Sequence, residues 1–138
     1  MSSQVIDTEE AHRWLSQAEH VLMVGRNLLD AACFAESCFY AEQAGQLALK
    51  AFLYGQGERG MQLSSVKYLA EQCATYDATF QHVAEVGKVL DQYYVPTRYP
   101  DALPDPAVPF ESYTRQQADC ALNDAREILE LVKQKLGV

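Results

Sequence analysis

The chain has 138 residues, of which 49% are hydrophobic and 22% are charged, and its formal net charge at pH 7 is −8. This length and composition are typical of a globular domain that folds without metals or disulfides. The sequence contains no apolar run long enough to span a membrane, and its first residues are acidic, whereas those of a secretory signal peptide are basic. Because binding to duplex DNA depends on surplus lysine and arginine, the acidic balance argues against duplex DNA as a partner, and we expect one cytoplasmic domain over residues 1–138.

The first predicted helix starts after Asp7. Apolar or small residues recur at three- and four-residue spacing from Ala11 to Leu29, which is the pattern of an amphipathic helix with one buried face. Asp7 is a suitable N-cap, and Glu10 stands at the capping-box position three residues later. The pattern therefore predicts a long helix that begins beside Asp7.

A second stripe of apolar and small residues begins at Phe34. Its small residues would let another helix approach closely: Ala41, Ala44, Gly45 and Ala48. Residues 55–60 hold three of the chain's seven glycines, so this helix is predicted to end at Gly55 and to continue into a loop. The loop is a candidate for a mobile, functional edge.

Two further helices are predicted in the middle of the chain. Ser64 or Ser65 can cap a short third helix. Asp77 can begin a fourth, which carries apolar residues as far as Tyr94. These helices are expected to pack with the first two as an antiparallel bundle.

Residues 95–113 contain all five prolines. Because proline lacks an amide donor, this proline segment is predicted to be an ordered, extended excursion rather than a helix. A last helix is predicted from Thr114 to Gly137, with Thr114 and Gln117 forming a capping box. No segment shows strand alternation, so the predicted fold class is all-α, an antiparallel up-and-down bundle of four to five helices.

The sequence gives little support to metal or thiol chemistry. No C-x-x-C pair is present, and we predict that all four cysteines are reduced thiols in the core: Cys33, Cys38, Cys73 and Cys120. The motif set of di-iron bundles is incomplete, because only Glu9 and His12 fit the Glu-x-x-His spacing. We therefore expect no metal and no cofactor.

Four segments together resemble the HEPN domain family, in order and at the family's separations. They are SCFYAEQAGQLALKAFLYGQG (37–57), SSVKYLAEQC (64–73), YYVPTRYPD (93–101) and SYTRQQADCALNDAREILELVKQKL (112–136). The most specific feature is the combination of Ala48-Leu49-Lys50-Ala51 with the later Pro-Thr-Arg-Tyr-Pro-Asp. The resemblance implies a helical bundle, commonly a homodimer, that accompanies a minimal nucleotidyltransferase in a toxin–antitoxin pair or binds nucleotides or RNA.

Many members of that family are metal-independent endoribonucleases. The resemblance ties their activity to an arginine that is followed four to six residues later by a histidine, and no histidine follows Arg98. Arg13 and His20 have a similar separation, but they lie in the first helix, where the family does not place its catalytic pair. The sequence therefore assigns no catalytic residue and favours binding over cleavage.

Arg98 is the main candidate for contacting a ligand. Neighbouring prolines restrict its backbone, so its planar guanidinium could bind a phosphate at low entropic cost, with Tyr99 beside it for base stacking. The alternative is structural, because Arg98 could instead pair with Asp101 or with a helix C-terminus and fix the loop. With both alternatives open, Arg98, Tyr99 and Asp101 are predicted ligand-binding residues.

Three further residues complete the predicted site. Lys50 interrupts an apolar stretch, so its charge must reach water, a carboxylate or a bound anion. Gln43 lies with Glu42 on the polar edge of the small-residue stripe, where the resemblance suggests a dimer or cleft surface. Tyr94 is the third of these residues, although packing in the core is favoured for its ring over stacking on a base.

Three functions remain open at this point. A homodimer could bind a nucleotide, single-stranded RNA or a partner nucleotidyltransferase in a groove beside Arg98. A ribonuclease could use Arg98 to stabilise phosphate charge, with Tyr99 or Asp101 transferring a proton. A non-catalytic interaction module could bind a partner helix in the same groove.

Overall fold

Five α-helices form the framework of the protein, in a computed structural model that describes residues 5–138. They pack as an antiparallel bundle, which confirms the predicted all-α fold class. The helices are α1 Thr8–Asp30, α2 Phe34–Gly55, α3 Val66–Ala74, α4 Ala84–Leu90 and α5 Arg115–Leu136. Residues 1–4, with which the predicted domain begins, lie outside the described part. None of the helices within residues 5–138 combines the length and the apolar run that a bilayer span requires.

α2 is the central helix and contacts each of the other four. Its small residues allow this, because a methyl group added at Gly45 would lie only 3.2 to 3.6 Å from side chains of three neighbouring helices: Leu90, Val66 and Ile128. Phe52 on the same helix is almost fully buried against the ring of Phe80, with the ring centres 4.4 Å apart. The close approach predicted from the small-residue stripe is confirmed.

The helix ends use the predicted capping residues. Asp7 accepts a hydrogen bond from the amide of Glu10 at 3.0 Å, which caps α1. Ser65 caps α3 by accepting a hydrogen bond from the amide of Tyr68 at 3.2 Å. Gly137 ends α5 in the left-handed conformation, with φ of 77°. Local sequence chemistry therefore sets most of the helix boundaries.

The capping box of α5 gives a direct stability prediction. The hydroxyl of Thr114 accepts a hydrogen bond from the amide of Gln117 at 3.1 Å, and the side chain of Gln117 accepts one from the amide of Thr114 at 2.9 Å. Thr114→Ala is expected to lower the free energy of unfolding by about 1 kcal/mol, measured by urea denaturation. Thr114→Ser keeps the hydroxyl and should retain the stability, whereas an equal loss in both variants would contradict a role for the cap.

The predicted fourth helix, from Asp77 to Tyr94, is broken into three pieces. A 3₁₀ helix spans Ala78–Val83, α4 follows, and a second 3₁₀ turn spans Asp91–Tyr93. The carboxylate of Asp77 accepts a hydrogen bond from the amide only two residues later, at 3.0 Å, and this favours a tight first turn. The continuous helix was therefore a wrong prediction.

The cysteines differ from the prediction in part. Cys38 and Cys73 are buried and unpaired, as expected, and burial raises the pKa of the Cys38 thiol to about 12. Cys33 is only half-buried because it precedes the first turn of α2, and Cys120 is exposed on the outer face of α5. The prediction of a core position is wrong for these two.

The glycine loop after Gly55 is tied to the start of α1. Arg59 donates to the carboxylate of Asp7 and, at 3.1 Å, to the carbonyl of Tyr54. Glu58 in turn accepts a hydrogen bond from the hydroxyl of Tyr76 at 2.7 Å. These contacts hold the loop at two points, and its mobility stays a prediction.

Candidate functional site

The site lies where the chain leaves α4 and turns across the side of α2. The hydroxyl of the buried Thr97 donates to the carbonyl of Tyr93 at 2.7 Å. The amides of Arg98 and Tyr99 donate to the carbonyl of Val95 at 3.0 and 3.2 Å. The beginning of the proline segment is therefore a compact turn rather than an extended strand, and this turn fixes the direction of Arg98.

Three aromatic rings surround the guanidinium of Arg98. Its central carbon lies 4.3 Å from the ring centre of Phe39, 4.8 Å from that of Tyr94 and 4.9 Å from that of Tyr99. Its Nε donates to the carbonyl of Tyr94 at 2.8 Å. The residue is nevertheless exposed, and its two Nη groups have no hydrogen-bond partner among residues 5–138. Rings cover the sides of the cation, while its outer donors can reach a ligand.

Of the two structural contacts predicted for Arg98, the one with a helix C-terminus is present in the described part of the protein and the pair with Asp101 is not. The contact with the Tyr94 carbonyl ties Arg98 to the end of the preceding 3₁₀ turn, so the helix-terminus contact is present. No ion pair joins Arg98 to Asp101 within the described chain, and Asp101 lies exposed in the 3₁₀ turn Pro100–Ala102. Tyr99 packs one side against Arg98 and leaves 49% of its surface exposed. Asp101 is therefore adjacent to the site without organising it.

The position of Tyr94 differs from the expectation, because its neighbour Tyr93 takes the place in the core. Tyr93 belongs to the buried core and packs edge-on against Tyr113 at 5.9 Å. Tyr94, for which core packing was favoured, is only half-buried and lies beside Arg98 and Phe39. The turn that ends α4 places successive side chains on different sides, and this decides which ring enters the core.

Glu42 lies inside the bundle and not on the polar edge of α2, where the sequence placed it. Its side chain is fully buried, and its two oxygens accept hydrogen bonds from the amides of Gln43, at 2.8 Å, and Gln46. Burial raises the pKa of Glu42 to about 7, although the two glutamines and the positive charge of Arg98 act in the opposite direction. A signal was present, because Glu42 follows Cys38 by four residues and thus shares its inward face.

Lys50 and Asp91 supply the remaining charges around Glu42. Lys50 is half-buried two turns further along α2; burial lowers its pKa, while the charge of Glu42 raises it. Asp91 accepts hydrogen bonds from the amide of Val66 at 2.6 Å and from the hydroxyl of Ser65 at 2.7 Å. Asp91 therefore closes the N-terminus of α3, and its negative charge also raises the pKa of Glu42.

The structure gathers most of the predicted residues on one side of α2. Arg98, Tyr94 and Tyr99 form one cluster, and Gln43 is connected to it through Glu42. Such an arrangement can bind an anion through the free edge of a guanidinium and offer an aromatic ring beside it. Within the described residues, no three acidic, histidine or cysteine side chains lie close enough to hold a metal ion.

Comparison with known proteins identifies related domains. The family model of the HEPN domain matches residues 11–135. A crystal structure of the protein TT1696 from Thermus thermophilus is 36% identical, with a TM-score of 0.85 over 91% of this chain and 98% of that one. The archaeal HEPN homologue ST0689 is 30% identical, with a TM-score of 0.74 over 93% of this chain and 98% of that one.

Two further proteins are similar to this chain. An HEPN domain protein from Thermotoga maritima, tm0613, is 22% identical with a TM-score of 0.71, over 91% of this chain and 98% of that one, and shares the fold. Human Sacsin is 33% identical over 114 residues. That match takes in 79% of this chain but spans only 2% of the length of Sacsin.

Proposed function

The chain belongs to the HEPN domain family, and from this membership we propose that it binds nucleotides or single-stranded RNA at Arg98. We further propose that it acts as the partner of a minimal nucleotidyltransferase in a cytoplasmic pair of the toxin–antitoxin type. The single observation that carries the proposal is the free outer edge of the Arg98 guanidinium. A rigidly held arginine with unpartnered donors is well suited to two parallel hydrogen bonds to a phosphate.

The rings around Arg98 favour a nucleotide over a simple inorganic anion. Because Phe39 and Tyr94 hold the cation in place, little side-chain entropy is lost when a phosphate binds its edge. Tyr99 remains half exposed, so its free surface can stack on a base next to that phosphate. A phosphate and an unpaired base side by side are the features of a nucleotide or a single strand.

Other residues of the predicted site have supporting roles in this proposal. Lys50 adds a cationic group on the same helix as Gln43, and both would contact the phosphate backbone as it continues along α2. Asp101, exposed next to Tyr99, would contact a sugar hydroxyl or base edge. We propose that two copies of the chain associate, so that their α2 faces and Arg98 turns enclose one groove.

Arg98→Ala tests the proposal against a matched arginine. Arg115 is also exposed and lies over an aromatic ring, that of Phe34 at 5.0 Å, but at the start of α5. Arg98→Ala is expected to weaken binding of AMP or a short single-stranded RNA about tenfold, because a charge-assisted hydrogen bond is lost. Arg115→Ala should leave binding unchanged, although both variants lose the same charge and each loses about 1 kcal/mol of stability or less.

Calorimetry with both variants separates the proposed function from its alternatives. Equal weakening by the two substitutions would indicate nonspecific charge attraction and would contradict the site. RNA cleavage that resists EDTA and is lost in Arg98→Ala would identify an endoribonuclease. Binding to a nucleotidyltransferase without any affinity for nucleotide or RNA would identify a protein-interaction module.

A further inference from the structure

A fully buried carboxyl group lies on the helix that supplies the ring packed most closely on the guanidinium of the candidate site. Glu42 has no solvent exposure, and both of its oxygens are held by glutamine side chains. Phe39, one turn before it on α2, is the ring closest to the guanidinium of Arg98, at 4.3 Å. The exposed cation and the buried acid are therefore connected through one face of α2.

We propose that Glu42 is a proton-accepting residue coupled to the anion site, so that a phosphodiester at Arg98 is bound more tightly when Glu42 carries a proton. This inference rests on the proposed function and deepens it by assigning a regulation to the same site. It makes Glu42 a positioning residue that acts through Arg98, because its buried side chain is enclosed by Gln43 and Gln46 and does not touch the ligand.

The charged groups that act on Glu42 come from three parts of the fold. Lys50 lies on α2 itself, Asp91 follows α4, and Arg98 belongs to the proline segment. Asp91 is occupied by its hydrogen bonds to the start of α3, so it stays in place when Glu42 changes charge. Of the two cations, Arg98 is the one that holds the phosphate in the proposed site, so its charge is the one that a bound phosphate offsets most directly.

The direction of the coupling follows from simple electrostatics. The positive charge of Arg98 favours the ionised form of Glu42, whereas burial disfavours it and brings the pKa to about 7. A phosphate at Arg98 offsets that positive charge, so it raises the pKa of Glu42 further and binding draws in a proton. By reciprocity, protonation of Glu42 must strengthen phosphate binding.

The first test measures affinity for an adenylate hexamer without terminal phosphates, whose phosphodiester charge is constant between pH 6 and pH 8. The wild-type protein is expected to bind it about twofold more tightly at pH 6 than at pH 8. Glu42→Gln should lose most of this gain, while Glu36→Gln, which removes an exposed charge from the same helix, should keep it. An undiminished gain in Glu42→Gln, with Arg98→Ala still impairing binding, would overturn the coupling and leave the proposed function standing.

A second test needs no ligand. The titration of the Glu42 carboxyl carbon, assigned by NMR from the spectrum of Glu42→Gln, is expected to move to higher pH in Arg98→Gln. An unchanged midpoint would overturn the coupling whatever the ligand is. If the midpoint moves but the hexamer binds at no pH, the coupled pair exists and the proposed RNA site is wrong.

Discussion

The wild-type protein is expected to lose about 3 kcal/mol of stability, relative to Glu42→Gln, as the pH rises from about 4.5 to about 7. The reason is that the pKa of Glu42 is raised from its ordinary 4.5 to about 7 in the fold, chiefly by burial. In this range the folded protein still holds a proton that the unfolded chain has released. The stabilising contribution is therefore complete below the lower value, falls through the window, and is lost above the higher value.

Urea denaturation at several pH values checks this prediction. The substitution suits the site, because either neighbouring glutamine can rotate its amide and accept a hydrogen bond from the new side chain. Glu36→Gln is the matched control, since Glu36 is exposed on the same helix. The free energy of unfolding of Glu36→Gln, plotted against pH, should run parallel to that of the wild type. A parallel plot for Glu42→Gln would mean that Glu42 is already ionised at pH 5 and would contradict the prediction.

Gly87→Ala is expected to lower the free energy of unfolding by about 2 kcal/mol, although alanine is the better helix former. A methyl group there would lie 2.7 Å from the amide nitrogen of Lys67 and 2.8 Å from the carbonyl carbon of Val66. Both are backbone atoms at the start of α3, so α3 and α4 must separate. This separation would also pull Asp91 away from the amides that it caps.

Gly45→Ala is the matched control for Gly87→Ala. Gly45 also lies inside a helix, but the nearest neighbours of an added methyl group are side-chain methyl groups rather than backbone, at 3.2 Å for Leu90 and 3.4 Å for Val66. The stability of Gly45→Ala should stay within about 1 kcal/mol of the wild type, because small shifts of these side chains relieve the contact and alanine is the better helix former. In Gly87→Ala, the amide of Val66 should exchange faster with solvent. Unchanged stability and exchange would contradict the close contact between α3 and α4.

The candidate site could be read from the sequence only in part. Arg98 and Tyr99 are recognisable because prolines flank them and the family resemblance covers the segment. The pairing of Arg98 with Phe39 was beyond sequence reasoning, because those residues are far apart in the chain and meet only when the turn after α4 folds across α2. Asp91 was missed for the same reason, since its partners at the start of α3 lie 25 and 26 residues away.

The sequence by itself determined the local features: helix ends at Asp7, Ser65 and Thr114, the small-residue stripe of α2, and the class of the fold. These depend on interactions between residues a few positions apart, which apolar spacing and capping chemistry specify directly. Only the tertiary structure decided that Glu42 is fully buried beside a cation and that Tyr94, rather than Tyr93, faces it. The burial of a side chain and the charges around it depend on residues from every helix that packs against it, and these residues are far apart in the sequence.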